Sequence, residues 1–499
     1  MSDSAQWTDR GKDELLKLPY RFAKQYGVVV ESRDAAVPLV HCSESGSPLA
    51  ILEIQRYYGG VAGLEIHPQA IFERILHDAY TADRSSSSEI AVDLEGRSDL
   101  RSLVDQLPPP EDLLDEDGDA PIISLLNALL AEAIRLSASD VHLEPYADQL
   151  IARLRVDGVL REVLTLDVGL APLIASRVKV MARLDIAEKR VPQDGRIAVQ
   201  SGDRQVDLRV STLPSAHGER VVMRILDQQA SLLRVDQLGL TSRQSRDLDA
   251  LIQKPNGILL VTGPTGSGKT TTLYALLSRL NDRSTNIMTV EDPVEYHLPG
   301  VGQTQVNPKV GLDFARGLRA ILRQDPDVVM VGEIRDLETA KTSIQASLTG
   351  HLVLSTLHTN TAIGAASRLR DMGIESYQLA AGLSGLIAQR LVRELCPQCK
   401  VKETPSEVIS KQWKLGAEES IYRAGEGCAA CDYTGYRGRL AVFEVVAVDD
   451  SLRQLIHDDA PESELIKAVR SYSEGLRESG RVALLAGKTS VDELVRIVD

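Results

Sequence analysis

Aromatic residues are scarce in this chain, at 4% of 499 residues, so any core it builds is aliphatic. Long apolar runs are missing too. No stretch reaches 18 uninterrupted apolar residues, which excludes a membrane-spanning helix. The opening residues Met1-Ser-Asp-Ser-Ala-Gln-Trp7 lack a basic region followed by an apolar run. No signal peptide is expected, and the chain reads as cytoplasmic. There is no basic excess: the net charge is -15. That disfavours a general nucleic-acid binder or a protein drawn to anionic lipid by its whole surface, while leaving room for local basic patches. Cysteine is limited to five residues.

What is present centres on Gly263-Pro-Thr-Gly-Ser-Gly-Lys-Thr270. It fits G-x-x-x-x-G-K-[ST], a phosphate-binding loop. The apolar run Gly257–Thr262 before it predicts a buried parallel strand, and Thr270–Leu280 after it has helical spacing. Gly263, Gly266 and Gly268 allow the backbone to curl its N–H groups toward phosphate oxygens. Pro264, Thr265, Ser267 and Thr271 complete the nucleotide-binding stretch. The helix starting near Lys269 adds its positive end. Lys269 is expected to reach the β- and γ-phosphates of ATP, and Thr270 to hold Mg²⁺.

Phosphate hydrolysis also needs carboxylates. Asp327-Val-Val-Met-Val-Gly-Glu333 is an apolar strand ending in Glu333. Thr289-Val-Glu-Asp-Pro-Val-Glu295 puts Glu291, Asp292 and Glu295 past another. The carboxyl ends of parallel strands are where ligands bind in such sheets. His351 and His358 flank the apolar run 352–357, and either a structural or a functional role fits them. Arg316, Arg319 and Arg323 are spaced to share one helix face, as a solvated stripe or as charge stabilisers for phosphate.

Organisation along the chain follows composition. Residues 1–100 read as a small α/β module: a helix over 17–26, a strand over 27–31, another over 49–53, and a helix over 66–76 with Pro68 in its first turn. Ser85–Ser88 reads as a flexible loop. Residues 101–119 hold the acidic, proline-rich stretch Pro108–Asp119, a linker or a solvated loop. Residues 120–238 open with an amphipathic helix over 121–135. Short alternating segments follow, at 140–144, 150–155, 159–163, 195–199, 205–210 and 220–225, which predicts an antiparallel sheet. Its polar side carries Arg153, Arg155, Arg196, Arg209, Arg220 and Arg224, a solvated face or a phosphate-reading one. From 239 to 499 helix and strand alternate in the doubly wound parallel pattern, turning helical after about 440, with Ser490-Val-Asp-Glu493 as a capping box for the last helix.

Four of the five cysteines form Cys396-Pro-Gln-Cys399 and Cys428-Ala-Ala-Cys431. Two C-x-x-C knuckles supply four thiolates for a tetrahedral, structural Zn²⁺. Disulfides and a redox motif are weaker alternatives without an export signal. Cys42 stands alone, as a small buried residue.

Together these motifs resemble the secretion-ATPase superfamily that powers type II secretion and type IV pilus assembly, most closely the type II secretion ATPases (the GspE family). The resemblance covers about 120–499 and rests on Gly263–Thr270, Thr289–Glu295, Asp327–Glu333, Thr349–His358 and the tetracysteine loop. Arg190–Arg196 and Leu213–Arg220 also look like family segments. It implies an α/β fold: a RecA-like motor domain, preceded by an antiparallel-sheet α+β domain and the small N-terminal module. It further implies homohexamers, with nucleotide bound between the second domain and the motor. Arg209 and Arg224 would reach the γ-phosphate, assisted by Arg319 and Arg323. Glu333 would organise Mg²⁺ and water, Glu291 or Asp292 would supply polarising charge, and His351 or His358 would sense the phosphate. The expected function is ATP hydrolysis driving protein export. The chain would be recruited to the inner membrane through residues 1–100, by the cytoplasmic domain of a membrane protein. Driving pilus extension is the nearest alternative. A nucleotide-gated scaffold without turnover, or a nucleic-acid translocase, would be of another class.

Overall fold

The protein is described here from a computed structural model, which describes residues 26–31, 39–44, 46–58, 63–68, 72, 75, 90–91, 119–201, 204–227, 233–416 and 418–498. The expected 17–26 helix (apart from Tyr26), the Ser85–Ser88 loop and the stretch 108–118 lie outside these residues.

Two compact units are present. One comprises Met1–Leu136, Asp140–Arg153 and Glu162–Ile225; the other comprises Ser137–Ser139, Leu154–Arg161 and Leu226–Asp499. The first contains a small three-stranded sheet in the order β1 (Val28–Glu31), β2 (Leu39–Ser43), β3 (Gly63–His67). β1 and β2 are antiparallel, and β2 and β3 parallel. Residues 49–53, expected as a strand, lie in the helix Pro48–Tyr58. A five-residue apolar run fits either period. Here Ala50 and Ile54, four apart, are buried while Leu49 and Leu52 face solvent, and proline is favoured in a first turn. Likewise Ile66 and His67, expected to open a helix, end β3, and helical structure is seen only beyond Pro68, at Phe72 and Ile75.

The amphipathic helix Asp119–Arg135 is followed by β5 (Asp140–Pro145), β6 (Gln149–Val156), β7 (Val159–Asp167), the helix Ala171–Ala182, β8 (Gln193–Ser201), β9 (Arg204–Ser215) and β10 (Gly218–Asp227). With β4 (Ile90–Ala91) they form a sheet in the order β4-β8-β9-β10-β5-β6-β7. β8 pairs antiparallel with β9, and β10 with β5, as the alternation predicts. Along β6 burial alternates at every residue. The arginines of this sheet are largely committed. Arg153 and Arg220 both bond to the buried carboxylate of Glu144. Arg155 donates to Gly158 O at 3.1 Å, and Arg224 Nε to Asp140 Oδ1 at 2.9 Å. Arg209 stands across the β8–β9 ladder from Arg196.

In the second unit a seven-stranded sheet runs β13 (Gly302–Gln305), β12 (Ile287–Glu291), β14 (Val328–Val331), β15 (Leu352–Leu357), β11 (Gly257–Thr262), β16 (Leu383–Leu395), β19 (Tyr436–Ala447). The contacts from β13 to β16 are parallel; β19 pairs antiparallel with β16. Between those last two strands the chain forms a short antiparallel pair, β17 (Val401–Glu403) and β18 (Ile421–Arg423). β11 is buried at every residue. Ile258 and Leu260 join one apolar cluster, with Ile344, Leu369 and Leu379. Leu259 and Val261 join the other, with Leu273 and Leu276 of the helix Lys269–Leu280. A strand covered on both faces needs a continuous apolar sequence, and this one has it.

β19 carries the strand pattern to Ala447, past the point where the sequence is expected to turn helical; helices begin at Asp450. Val442, Phe443, Val445 and Val446 are all buried, as a strand covered on both faces requires. At Ser490 only half of the expected capping box forms. Glu493 N donates to Ser490 Oγ at 3.3 Å, but the Glu493 carboxylate turns to Arg393 and Arg496. Two guanidiniums outcompete one backbone N–H for a buried carboxylate. Among the described residues no helix is long and apolar enough to cross a membrane.

Candidate nucleotide site and cysteine centre

β11 delivers the chain into residues 263–268 and the helix Lys269–Leu280 leaves it. Gly263, Gly266 and Gly268 have φ of 150°, 79° and 87°, in the region glycine tolerates. Gly263 is also sterically required, by backbone, whereas Gly268 meets only the flexible end of a side chain. A Cβ on Gly263 would stand 2.5 Å from Ser267 Oγ and 2.6 Å from Gln389 O; one on Gly268 would stand 2.7 Å from Gln389 Nε2. The loop thus rests on β16. Gln389 Oε1 also accepts from Thr272 Oγ1 at 2.7 Å, pinning the first turn of the helix. Pro264, Thr265, Gly266 and Thr270 are exposed, and Thr271 is half-buried.

Lys269 is buried and folds back on the loop, donating to Gly263 O at 2.8 Å and Pro264 O at 3.0 Å. Burial lowers its pKa to about 8; Glu333 opposes that shift and Arg390 adds to it. An anion beside this ammonium would favour its charged form.

Three strand ends converge on the same edge of the sheet. Glu333, just past β14, pairs with Arg335 and lies 3.4 Å from His358 Nε2, just past β15. Asp292 is exposed, and its charge is felt at Arg335. Glu291, one residue earlier, is buried. It accepts from Tyr274 Oη at 2.5 Å, Thr289 Oγ1 at 2.5 Å and Gln303 Nε2 at 3.1 Å. Burial, with this carboxylate second, pushes the Tyr274 hydroxyl far above its ordinary range. Glu291 therefore anchors the helix Lys269–Leu280 to β12, and Asp292 is the carboxylate turned to solvent.

The histidines separate. His351 lies at the amino end of β15, with Nδ1 3.0 Å from Ala346 O, so only His358 joins the strand ends. The three arginines do not share one task. Arg316 donates to Gly311 O at 3.0 Å and Arg319 to Glu338 Oε1 at 2.5 Å. Arg323 lies beyond the helix Phe314–Ile321, donating to Arg319 O at 2.8 Å. The helix ends at Ile321, so helical spacing does not extend to Arg323.

Three residues of the site carried weak sequence signals. Gln389 and Arg390 break the apolar middle of β16, and Arg335 follows Glu333 by two. Arg390 is buried, with its pKa lowered by burial and partly restored by Glu444; it donates to Asn360 O at 2.9 Å and Gln389 O at 3.1 Å. A cavity of about 790 Å³ opens beside it, lined by Pro264, Asn360, Thr361, Glu444 and Arg470 among others.

The cysteine centre is separate. Cys396, Cys399, Cys428 and Cys431 are all free thiols. Their Sγ atoms stand 3.8 Å (396–428), 3.7 Å (399–431) and 3.8 Å (428–431) apart. Four sulfurs about 2.3 Å from a tetrahedral Zn²⁺ would be about 3.8 Å apart, whereas a disulfide would need about 2.05 Å. Cys431 Sγ also accepts from Cys428 N and Gly435 N, both at 3.3 Å. Burial opposes ionisation of this thiol, but those N–H groups, together with the Cys399 and Cys428 side chains, lower its pKa. The donor set and its spacing fit zinc.

A phosphate loop on a parallel sheet, with carboxylates at the adjoining strand ends, defines a P-loop ATPase with a RecA-like motor domain. Residues 115–496 match the family model described as "Type II/IV secretion system protein", and residues 17–80 match a domain model of "GSPII protein E". The chain belongs to the type II secretion ATPases, the GspE family. It is 53% identical to Type II secretion system protein E of Pseudomonas aeruginosa over 483 residues, 96% of each chain. It is 50% identical to Type II secretion system ATPase E of Vibrio cholerae over 493 residues, 97% of each chain. Among solved structures, the Legionella pneumophila ATPase DotB shares the fold at TM-score 0.56 and 19% identity, over 74% of this chain and 94% of that one. The pilus retraction motor PilT, solved with bound ADP, aligns at TM-score 0.51 and 27% identity, over 74% and 95%.

Proposed function

We propose that this chain is a cytoplasmic, homohexameric ATPase whose hydrolysis of ATP drives protein export by a type II secretion system, and that it is held at the inner membrane by a partner protein. The observation that carries this reading is similarity over nearly the whole chain to proteins named for that system, including the separate domain match at residues 17–80. That second match favours secretion over pilus extension, because it falls in the module expected to dock on the cytoplasmic domain of an inner-membrane protein.

In this reading residues 263–271 hold the nucleotide phosphates. Lys269 releases its two carbonyl partners and turns its ammonium to the β- and γ-phosphates. Thr270 and Glu333 would hold Mg²⁺, which neutralises charge on the phosphates when bound. Glu333 orients the attacking water, and His358, 3.4 Å away, responds to the state of that carboxylate. Asp292 supplies polarising charge, with Glu291 fixing its position. Arg209 and Arg224 stabilise charge on the terminal phosphate, and Arg319 and Arg323 assist. The four cysteines hold Zn²⁺ as a structural ion. The domain boundaries proposed are 1–100, 101–119, 120–238 and 239–499.

The test is replacement of the chromosomal copy by Lys269→Ala in the native bacterium. Loss of exported proteins from the medium, with surface pili intact, supports the reading. Loss of pili with export intact would make it a pilus-extension motor. Unchanged export would leave a scaffold that needs no turnover.

A further inference from the structure

The small N-terminal sheet carries a cluster that no part of the ATPase chemistry uses. His41 on β2 stands directly across the parallel ladder from Glu65 on β3, and His67 is two residues beyond Glu65, on the same face. His41 Nδ1 and His67 Nε2 are 3.0 Å apart. Glu65 Oε2 is 3.5 Å from the first and 3.6 Å from the second. Those two separations are ion-pair contacts, longer than the 3.2 Å to which good hydrogen bonds extend, while the two imidazoles lie within hydrogen-bond distance of one another.

The triangle has another property. The point equidistant from three atoms separated by 3.0, 3.5 and 3.6 Å lies about 2.0 Å from each. Zinc–nitrogen bonds are about 2.0–2.1 Å and zinc–carboxylate bonds about 2.0–2.2 Å. An ion placed slightly out of the ligand plane reaches all three atoms without moving a strand. We propose that His41, Glu65 and His67 form a second zinc site, distinct from the four cysteines, with its fourth position open to water.

The donor set suits the metal: two imidazoles and one carboxylate are a recurrent zinc combination. Burial suits it as well. The His41 and His67 side chains are 10% and 19% exposed, while Glu65 is 54% exposed, which leaves a path for the ion. The module also has a use for it. Among the described residues its core cluster comprises Val28, Val40, Cys42, Ala50 and Ile54, with Val30 and Ile51 packed against it, and a small domain gains from a cross-link. Zinc here would staple β2 to β3.

The experiment uses the full-length protein, stripped with a chelator, reloaded with Zn²⁺, passed through a desalting column and assayed for metal per chain. Wild type is expected to retain about one ion more than Glu65→Gln or His67→Gln, and Cys396→Ser to lose a different ion. Wild-type and variant proteins with equal zinc overturn the site, as does a wild type whose zinc is all lost in Cys396→Ser. If His67→Gln fails to fold, Glu65→Gln, with its half-exposed side chain, still reports. Co²⁺ loading gives a second readout: the His–Glu ion contributes visible bands without sulfur-to-metal charge transfer, and those bands vanish in Glu65→Gln. Cobalt spectra identical in wild type and Glu65→Gln also overturn the proposal.

Discussion

The cysteine centre and the phosphate loop are built on opposite terms. Four sulfurs at a spacing that fits tetrahedral zinc would supply a complete coordination shell, drawn entirely from residues 396–431. With zinc held there nothing further could bind without displacing a ligand, so the site would stabilise and not react. The phosphate loop is unfinished by comparison. Lys269 is satisfied by two carbonyls of its own loop, and Glu333 by Arg335 and the neighbouring His358. Each of those partners can be exchanged for a ligand. A structural site saturates its donors; a catalytic one keeps them in bonds it can give up.

Lys269→Ala should separate the two sites most sharply. ATP hydrolysis is expected to fall on the order of 1,000-fold, measured as phosphate release, with the zinc content of the cysteine centre unchanged. Hydrolysis within tenfold of wild type would end the assignment of the loop. Next in size is Glu333→Gln, which keeps shape and polarity but removes charge. Hydrolysis should drop roughly 100-fold while nucleotide is still retained on gel filtration; loss of retention would show that Glu333 serves binding first. Cys396→Ser addresses the other side of the comparison. The loop around residues 396–431 should lose its metal and become protease-sensitive, while the phosphate loop continues to bind ATP. If nucleotide binding is lost too, the two sites are not independent.

The smallest effect is a proton. In the free protein the Lys269 ammonium titrates at about 8, below the ordinary lysine value, because it is buried. Bound phosphates favour the charged form, so ATP binding near pH 8 should take up a fraction of a proton per chain. The uptake should vanish toward pH 6.5, where the group is already protonated, and apparent affinity should weaken as pH rises past 8. Calorimetry in buffers of different ionisation enthalpy measures it; zero uptake at pH 8 would place the lysine charge elsewhere.

The comparison also explains what the sequence could and could not reveal. Both centres were legible because their chemistry requires particular residue types at short fixed spacings. The residues between them were not. Gln389 reads as one polar residue in a strand, and only its contacts with Gly263, Gly268 and Thr272 show that it supports the loop. Glu291 and Asp292 are adjacent acids with equal claims until burial separates them. The 49–53 run was ambiguous because five apolar residues fit two periods. The arginine face near Glu144 looked like one feature, whereas Arg153 and Arg220 neutralise a buried acid and Arg224 pairs with Asp140.

β16 has a mechanical meaning as well. Gln389 lies beneath the phosphate loop, and the strand runs on to Leu395, next to Cys396. At about 3.3 Å per residue, Gln389 and Cys396 are joined by roughly 23 Å of nearly inextensible backbone. The pairing with β19 shifts register between Arg393 and Leu395, so the strand changes direction just before the cysteines. A displacement at the loop would therefore be felt along this strand at the cysteine centre, about seven residues away in sequence.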